Sequence, residues 1–225
     1  MKKFALILFS ILLTACISHP YLAKQQYLLQ AQPPLFKIVK PIKANLIIEP
    51  TLASPPFDGL QFIYRLKDAR YISDYYNIFM TPPSTQITNE LTRFLQGSHL
   101  FNNVNSANLI LSANYQLKTQ LTALYADYSN DQHPKAVVEM QFILVKGNNI
   151  VFHKLLAAHV GLARKSTDAL VKAWNKGLSI IFTKFSLALA HKFHLTLPKN
   201  EVTNSMNNVA NSNANFLNLN PLRFQ

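Results

Sequence analysis

Hydrophobic and polar positions change period several times along this chain, and each change marks an element. Behind Met1-Lys2-Lys3, positions 4–13 hold nothing more polar than Ser10, a run too short to cross a bilayer as a helix. Tyr27-Leu28-Leu29 predicts a first short strand, closed by Pro33-Pro34, and Leu46-Ile47-Ile48 within 44–49 predicts a second. Leu60, Phe62, Tyr64 and Leu66 alternate as a third, after the Pro55-Pro56 and Asp58-Gly59 punctuation. Beyond Pro82-Pro83 the period lengthens: Ile87, Leu91, Phe94 and Leu95 predict an amphipathic helix ended by Gly97. Period two returns at Leu109, Leu111, Ala113, Tyr115, Leu117 and Leu121, a long half-buried strand running toward Tyr125. Segments 136–145 and 150–160 predict two more strands, joined by Lys146-Gly147-Asn148-Asn149 as a tight hairpin. Ser166-Thr167-Asp168 caps a long helix with a stripe of Leu170, Trp174, Leu178, Ile181, Phe185 and Leu189.

About six strands and two one-sided helices pack most economically as an α+β two-layer sandwich, a mostly antiparallel sheet with both amphipathic helices on one face. Trp174, on the helix stripe, is expected in that interface. Segment 199–225, with nine asparagines and few large apolar residues, predicts a disordered tail.

Composition narrows the classes. The 225 residues are 49% hydrophobic and 14% charged, enough apolar material for one domain. Lys and Arg number 22 against 10 Asp and Glu, giving +12, which favours anionic partners without selecting among them. Five glycines form neither GxxxxGK[ST] nor GxGxxG, so no recognisable nucleotide-binding loop is present. A single cysteine excludes a disulfide framework and a zinc site built on several thiolates.

That cysteine ends the first apolar run. Leu13-Thr14-Ala15-Cys16 resembles the lipobox of bacterial lipoproteins, which implies cleavage before Cys16, a diacylglycerol and an N-acyl chain on it, and no other cofactor. Three acyl chains exceed the two that already anchor a protein stably. Ile17 stands where aspartate resembles an inner-membrane retention signal, which implies the periplasmic face of the outer membrane. Removal of Lys2 and Lys3 lowers the formal charge by two, from +12 to +10. The chain then divides into a signal peptide (1–15), the lipidated cysteine and tether (16–26), a folded domain (27–198) and the Asn-rich tail (199–225). The ten residues 17–26 reach at most roughly 36 Å, so the domain stays close to its membrane.

Further strings carry a wider resemblance. Tyr27-Leu28-Leu29 looks like an opening strand. Tyr75-Tyr76-Asn77 with Phe79, Pro82-Pro83, Gln86-Ile87-Thr88 and Leu91 looks like a loop and first helix. Leu124-Tyr125-Ala126-Asp127-Tyr128, then Pro134 and Ala136-Val137-Val138-Glu139-Met140-Gln141-Phe142, looks like an acidic-aromatic strand pair. From Cys16 to about Phe193 the chain thus resembles the ABC-type transport auxiliary lipoprotein family, the PqiC-like lipoproteins. The resemblance implies a non-enzymatic, outer-membrane-anchored docking component of an MCE-type ABC system that moves phospholipid between envelope membranes. Its MCE-domain partner, the permease and the ATPase would be separate chains, and homo-oligomers are allowed. The alternative is a structural or assembly lipoprotein of another outer-membrane complex; an envelope hydrolase is a distant third.

Tyr71, Tyr75, Tyr76 and Phe79 crowd four rings into nine residues near Arg65, Lys67 and Arg70. About half are expected to fill the core and the rest to anchor a partner, with nucleic acid excluded by export. His191 and His194 share a helix face, but with no third ligand they suit a helix C-terminus better than a metal. His153 and His159 fall on one side of a strand, at its surface. Ser98-His99 with Asp127 or Asp131 makes a hydrolytic set only by free choice among residues, so no catalytic residue is assigned. Asp127 reads as part of a hairpin loop.

Overall fold

The computed structural model describes residues 23–107 and 113–196, an α+β arrangement of one mixed sheet and two long helices. The strands are β1 (Gln25–Tyr27), β2 (Ile42–Ile48), β3 (Leu52–Ala53), β4 (Gln61–Arg65), β5 (Tyr71–Phe79), β6 (Phe101–Ser106), β7 (Tyr115–Asp127), β8 (Lys135–Lys146) and β9 (Asn149–Gly161). The helices are α1 (Pro83–Ser98) and α2 (Thr167–Lys192). The signal peptide, Cys16, Leu109, Leu111 and the Asn-rich tail lie outside the described residues.

Strand β7 is the spine. Along one edge it pairs antiparallel with β8, from Gln116 opposite Val145 to Asp127 opposite Lys135, and β8 pairs antiparallel with β9. This is the meander expected from the alternating pattern. Gly147, at φ +57°, occupies the turn position where only glycine avoids a steric penalty. The other edge of β7 carries three short strands in succession, all parallel to it: β2 beside Tyr115–Leu117, β3 beside Gln120–Leu121 and β4 beside Ala126–Asp127. Outside these, β6 runs parallel to β2, β5 antiparallel to β4, and β1 parallel to β5.

One face of this sheet is covered. Leu117, Leu121, Leu124 and Ala126 of β7 and Val138, Met140, Phe142 and Leu144 of β8 alternate inward and are buried. On them lie α1, through Ile87, Leu91 and Leu95, and α2, through Leu170, Trp174, Leu178, Ile181 and Phe185. Phe142 stacks on Phe185 at 4.3 Å between ring centroids, and Phe94 meets Phe182 at 5.5 Å where the helices adjoin. A side chain added at Gly177 of α2 would meet Val138 at 3.1 Å, so the helix sits close on the sheet there. Trp174 has no exposed surface; it lies edge-on to Phe62 at 4.8 Å and beside Phe79 at 5.6 Å.

Residues 29–32 are laid between the helices as a strap. Successive backbone amides donate alternately to the two sides: Leu29 to Gln86 and Ala31 to Glu90 of α1, Gln30 to Asn175 and Gln32 to Ser179 of α2. Leu29, Phe36 and Ile38 then plug the core. Helix side chains thus supply what a neighbouring strand would otherwise provide.

Three strands escaped the sequence pattern. Two-residue β3 is too short to show a period, and β6 reads Phe-Asn-Asn-Val-Asn-Ser, its polar positions hiding Phe101 and Val104, which are buried. The third, β5, contains Tyr75-Tyr76-Asn77 and Phe79, which the resemblance places in a loop. Its alternation is interrupted by a large bulge, since Ile63 of β4 pairs with Ser73 while Gln61 pairs with Ile78. Nor does Gly97 end α1: the helix continues to Ser98, and His99 takes the left-handed position at φ 55°.

Candidate docking surface on the aromatic strand

The four aromatic candidates of β5 fall into three environments. Tyr71, 45% exposed, stands on the uncovered sheet face beside Tyr125, with centroids 5.6 Å apart; Phe57 stacks on the same Tyr125 at 5.9 Å. Tyr75 and Tyr76, 67% and 45% exposed, meet edge to face at 5.2 Å, and Lys24 Nζ lies 4.4 Å from the Tyr75 ring centre. Phe79, one of the four partner-surface candidates, is only 2% exposed and packs against Phe62 at 4.5 Å, so it belongs to the core and not to a partner surface. Register explains the split, because Phe79 lies beyond the bulge, paired with Tyr27 of β1 and turned toward α2.

Asp74 builds the bulge. Its Oδ1 accepts the backbone amides of Tyr76 at 2.8 Å and Asn77 at 3.0 Å, while Oδ2 accepts Tyr64 Oη at 2.6 Å and Asn77 Nδ2 at 2.7 Å. Burial alone would raise this carboxyl, but the hydrogen bonds from Tyr64 and Asn77, and then from Tyr76, hold it below the ordinary aspartate range. The same contact acts on Tyr64, whose phenol is pushed far up by burial and then by Asp74. Asp74 therefore stays an acceptor at neutral pH, and Tyr75 and Tyr76 ride at the apex of the loop it fixes.

A charged cluster closes the same end of the sheet. Asp127 is the last residue of β7, not a loop residue, and its side chain is buried. It accepts Ser129 Oγ at 2.6 Å and the Ser129 amide at 3.0 Å, with Lys135 at 3.7 Å and Arg65 at 3.5 Å. Burial opposes ionisation here, but Ser129 and then the two cations hold the carboxyl below its usual range. Asp131 lies in solvent between Lys67 and Lys165. Four cations surround two carboxylates.

His153 and His159 do share the uncovered face, opposite Ile143 and Val137 of β8, with Gln141 hydrogen-bonded to His153 at 2.7 Å. Burial and then the nearby Lys135 lower the imidazole of His159. His191 lies in the last turn of α2, and His194 beyond it has φ 52°. Among the described residues no group of three His, Cys, Asp or Glu could hold a metal ion, and no helix is long and apolar enough to cross a membrane. A cavity of about 160 Å³ lies beside the strap, lined by Ala31, Pro33, Glu90, Arg93 and Phe94. The polar side chains Gln86 and Glu90 that hold the strap were invisible to sequence reasoning, their only signal being polar residues inside the apolar stripe of α1.

This architecture is a known one. A Xanthomonas campestris protein of family DUF330 superposes on the chain with a TM-score of 0.63 at 15% identity, covering 72% of this chain and 92% of that one. An uncharacterized protein follows at 0.57 and 18% identity, over 76% and 99% of the two chains. The fold is that of the DUF330 protein. A Neisseria meningitidis lipoprotein, at a TM-score of 0.30 and 11% identity over 66% and 99% of the chains, is too distant to bear on function. No protein-family model and no curated protein matches the sequence.

Proposed function

We propose that this chain is a non-enzymatic lipoprotein, anchored through acylated Cys16 in the periplasmic face of the outer membrane, that docks the MCE-domain protein of a phospholipid-moving ABC system. The observation that carries the reading is Leu13-Thr14-Ala15-Cys16 closing an apolar run, with the domain beginning within reach of it. The resemblance to the auxiliary lipoproteins supports the transport role, and the likeness to the DUF330 protein agrees with it in fold. The chain carries no phosphate-binding loop, which suits a component whose ATPase and permease are separate polypeptides. Docking is assigned to the uncovered sheet face around Tyr71 and Tyr125, where exposed Tyr71, backed by half-buried Tyr125, offers contact area at low entropic cost.

Two measurements test the levels separately. Metabolic labelling with a radioactive fatty acid should mark the wild-type chain, and Cys16→Ser should leave it unlabelled and absent from the outer membrane; an unlabelled wild type ends the anchor reading. Pull-down with the MCE-domain protein encoded beside it should succeed without nucleotide and weaken with Tyr71→Ala. Failure of the wild type at every salt concentration ends the transport reading, whereas binding that survives the substitution ends only the choice of surface.

A further inference from the structure

The bulge of β5 has a second property, its position relative to the tether. Strand β1 pairs with β5 in parallel, Gln25 opposite Asn77, so the described chain enters the domain beside Tyr76 and Tyr75. Lys24 Nζ over the Tyr75 ring marks that point of entry. Seven residues lie between Cys16 and Lys24, so the eight steps from one to the other span at most about 29 Å when fully extended. Any shortening of that segment draws Lys24, and with it the Tyr75 ring, closer to the acyl chains.

What the molecule presents there is specific in kind. Two tyrosines project side by side from a rigid knuckle, their backbone fixed by Asp74. Neighbouring Ile72 and Met80 are 44% and 51% exposed. One cation, Lys24, stands at the knuckle, while Lys67 and Arg70 lie at the turn between β4 and β5, beyond Tyr71. Amphipathic rings with apolar bodies and polar tips, flanked by lysine and arginine, are the chemistry of a bilayer interface. A cation close to an anionic headgroup layer is drawn to it electrostatically.

We infer that the Tyr75–Tyr76 knuckle, with Lys24 over it, rests on the surface of a bilayer containing anionic phospholipid, and so fixes which end of the domain faces the membrane. The inference rests on the acylation of Cys16 proposed above. With the knuckle on the headgroups, the hairpin of β8 and β9 points away, because Asp127 and Lys135 share the knuckle's end of the sheet and Gly147 lies at the other. The anchor then supplies membrane residence and the knuckle supplies orientation.

The test uses the full acylated chain in vesicles of phosphatidylethanolamine and phosphatidylglycerol, with bromine on the lipid acyl chains as a contact quencher. Tyr76→Trp places a reporter on the knuckle, and Ile150→Trp places one on the hairpin, where the residue is 66% exposed. Wild-type emission from buried Trp174 is subtracted as background. Trp at 76 should lose about half its emission relative to unbrominated vesicles, since interfacial side chains sit within 5–10 Å of the acyl boundary, and Trp at 150 should lose none. Mass spectrometry of the same samples reports acylation. An unacylated Cys16 overturns the anchor and this inference together. An acylated chain in which position 76 is unquenched, or quenched no more than position 150, overturns the inference alone. Unquenched Trp at 76 combined with loss of MCE-protein binding in Tyr75→Ala would give the knuckle to the protein partner instead.

Discussion

Two buried side chains show how much a single residue carries. Trp174 fills the junction of β4, β5 and α2, touching Phe62 and Phe79, with its indole N–H directed at the Tyr125 carbonyl 3.4 Å away. Trp174→Ala should cost about 3–5 kcal/mol in denaturant unfolding, and wild-type emission should be blue-shifted; a water-like maximum in the folded protein would contradict this burial. Asp127 acts through charge. Its pKa is lower folded than unfolded, so its contribution to stability is complete above the ordinary aspartate value near 4 and is lost as pH falls through the depressed folded value. Asp127→Asn, nearly equal in volume, should cost about 1.5–3 kcal/mol at pH 7 and flatten the acid limb of the stability curve. An unchanged acid limb would assign that limb to other carboxylates, Asp74 first.

Among the elements, those legible in the sequence owe their form to side-chain period alone. The spine β7, the β8–β9 hairpin and both helices each bury one face against a single neighbour layer, so an apolar stripe predicts them. The strands missed are set by partners distant in sequence: β6 holds its place beside β2, and β5 bends around Asp74. Of the candidate site, the aromatic cluster was legible as a cluster, but its division was not, because the bulge decides which rings turn inward. The strap was illegible for the same reason, its bonds running from residues 29–32 to positions more than fifty further on. Its amides differ in burial, which predicts unequal costs. Gln86→Ala strips a buried amide, that of Leu29, and should cost about 1–3 kcal/mol. Ser179→Ala strips an exposed one, that of Gln32, which water can satisfy, and should cost under about 0.5 kcal/mol. Equal losses in thermal unfolding would refute this reading of the strap.

As a whole the described molecule has one hydrophobic core that both helices, the strap and most strands share. Tryptophan fluorescence and far-ultraviolet circular dichroism should therefore trace one coincident unfolding transition; separated midpoints would show that the short parallel strands beside β7 melt independently of the meander. The place of the strap in that core bears on mechanics. It follows β1 immediately, so in a chain acylated at Cys16 any tension between membrane and domain enters through the pairing of β1 with β5 and then through amides gripped in turn by α1 and α2. No residue of the meander lies on that route. The arrangement works as the strain relief on a cable does: load is shed onto the two helices before it reaches the meander, and a tug that frees β1 leaves the packed layers beneath intact.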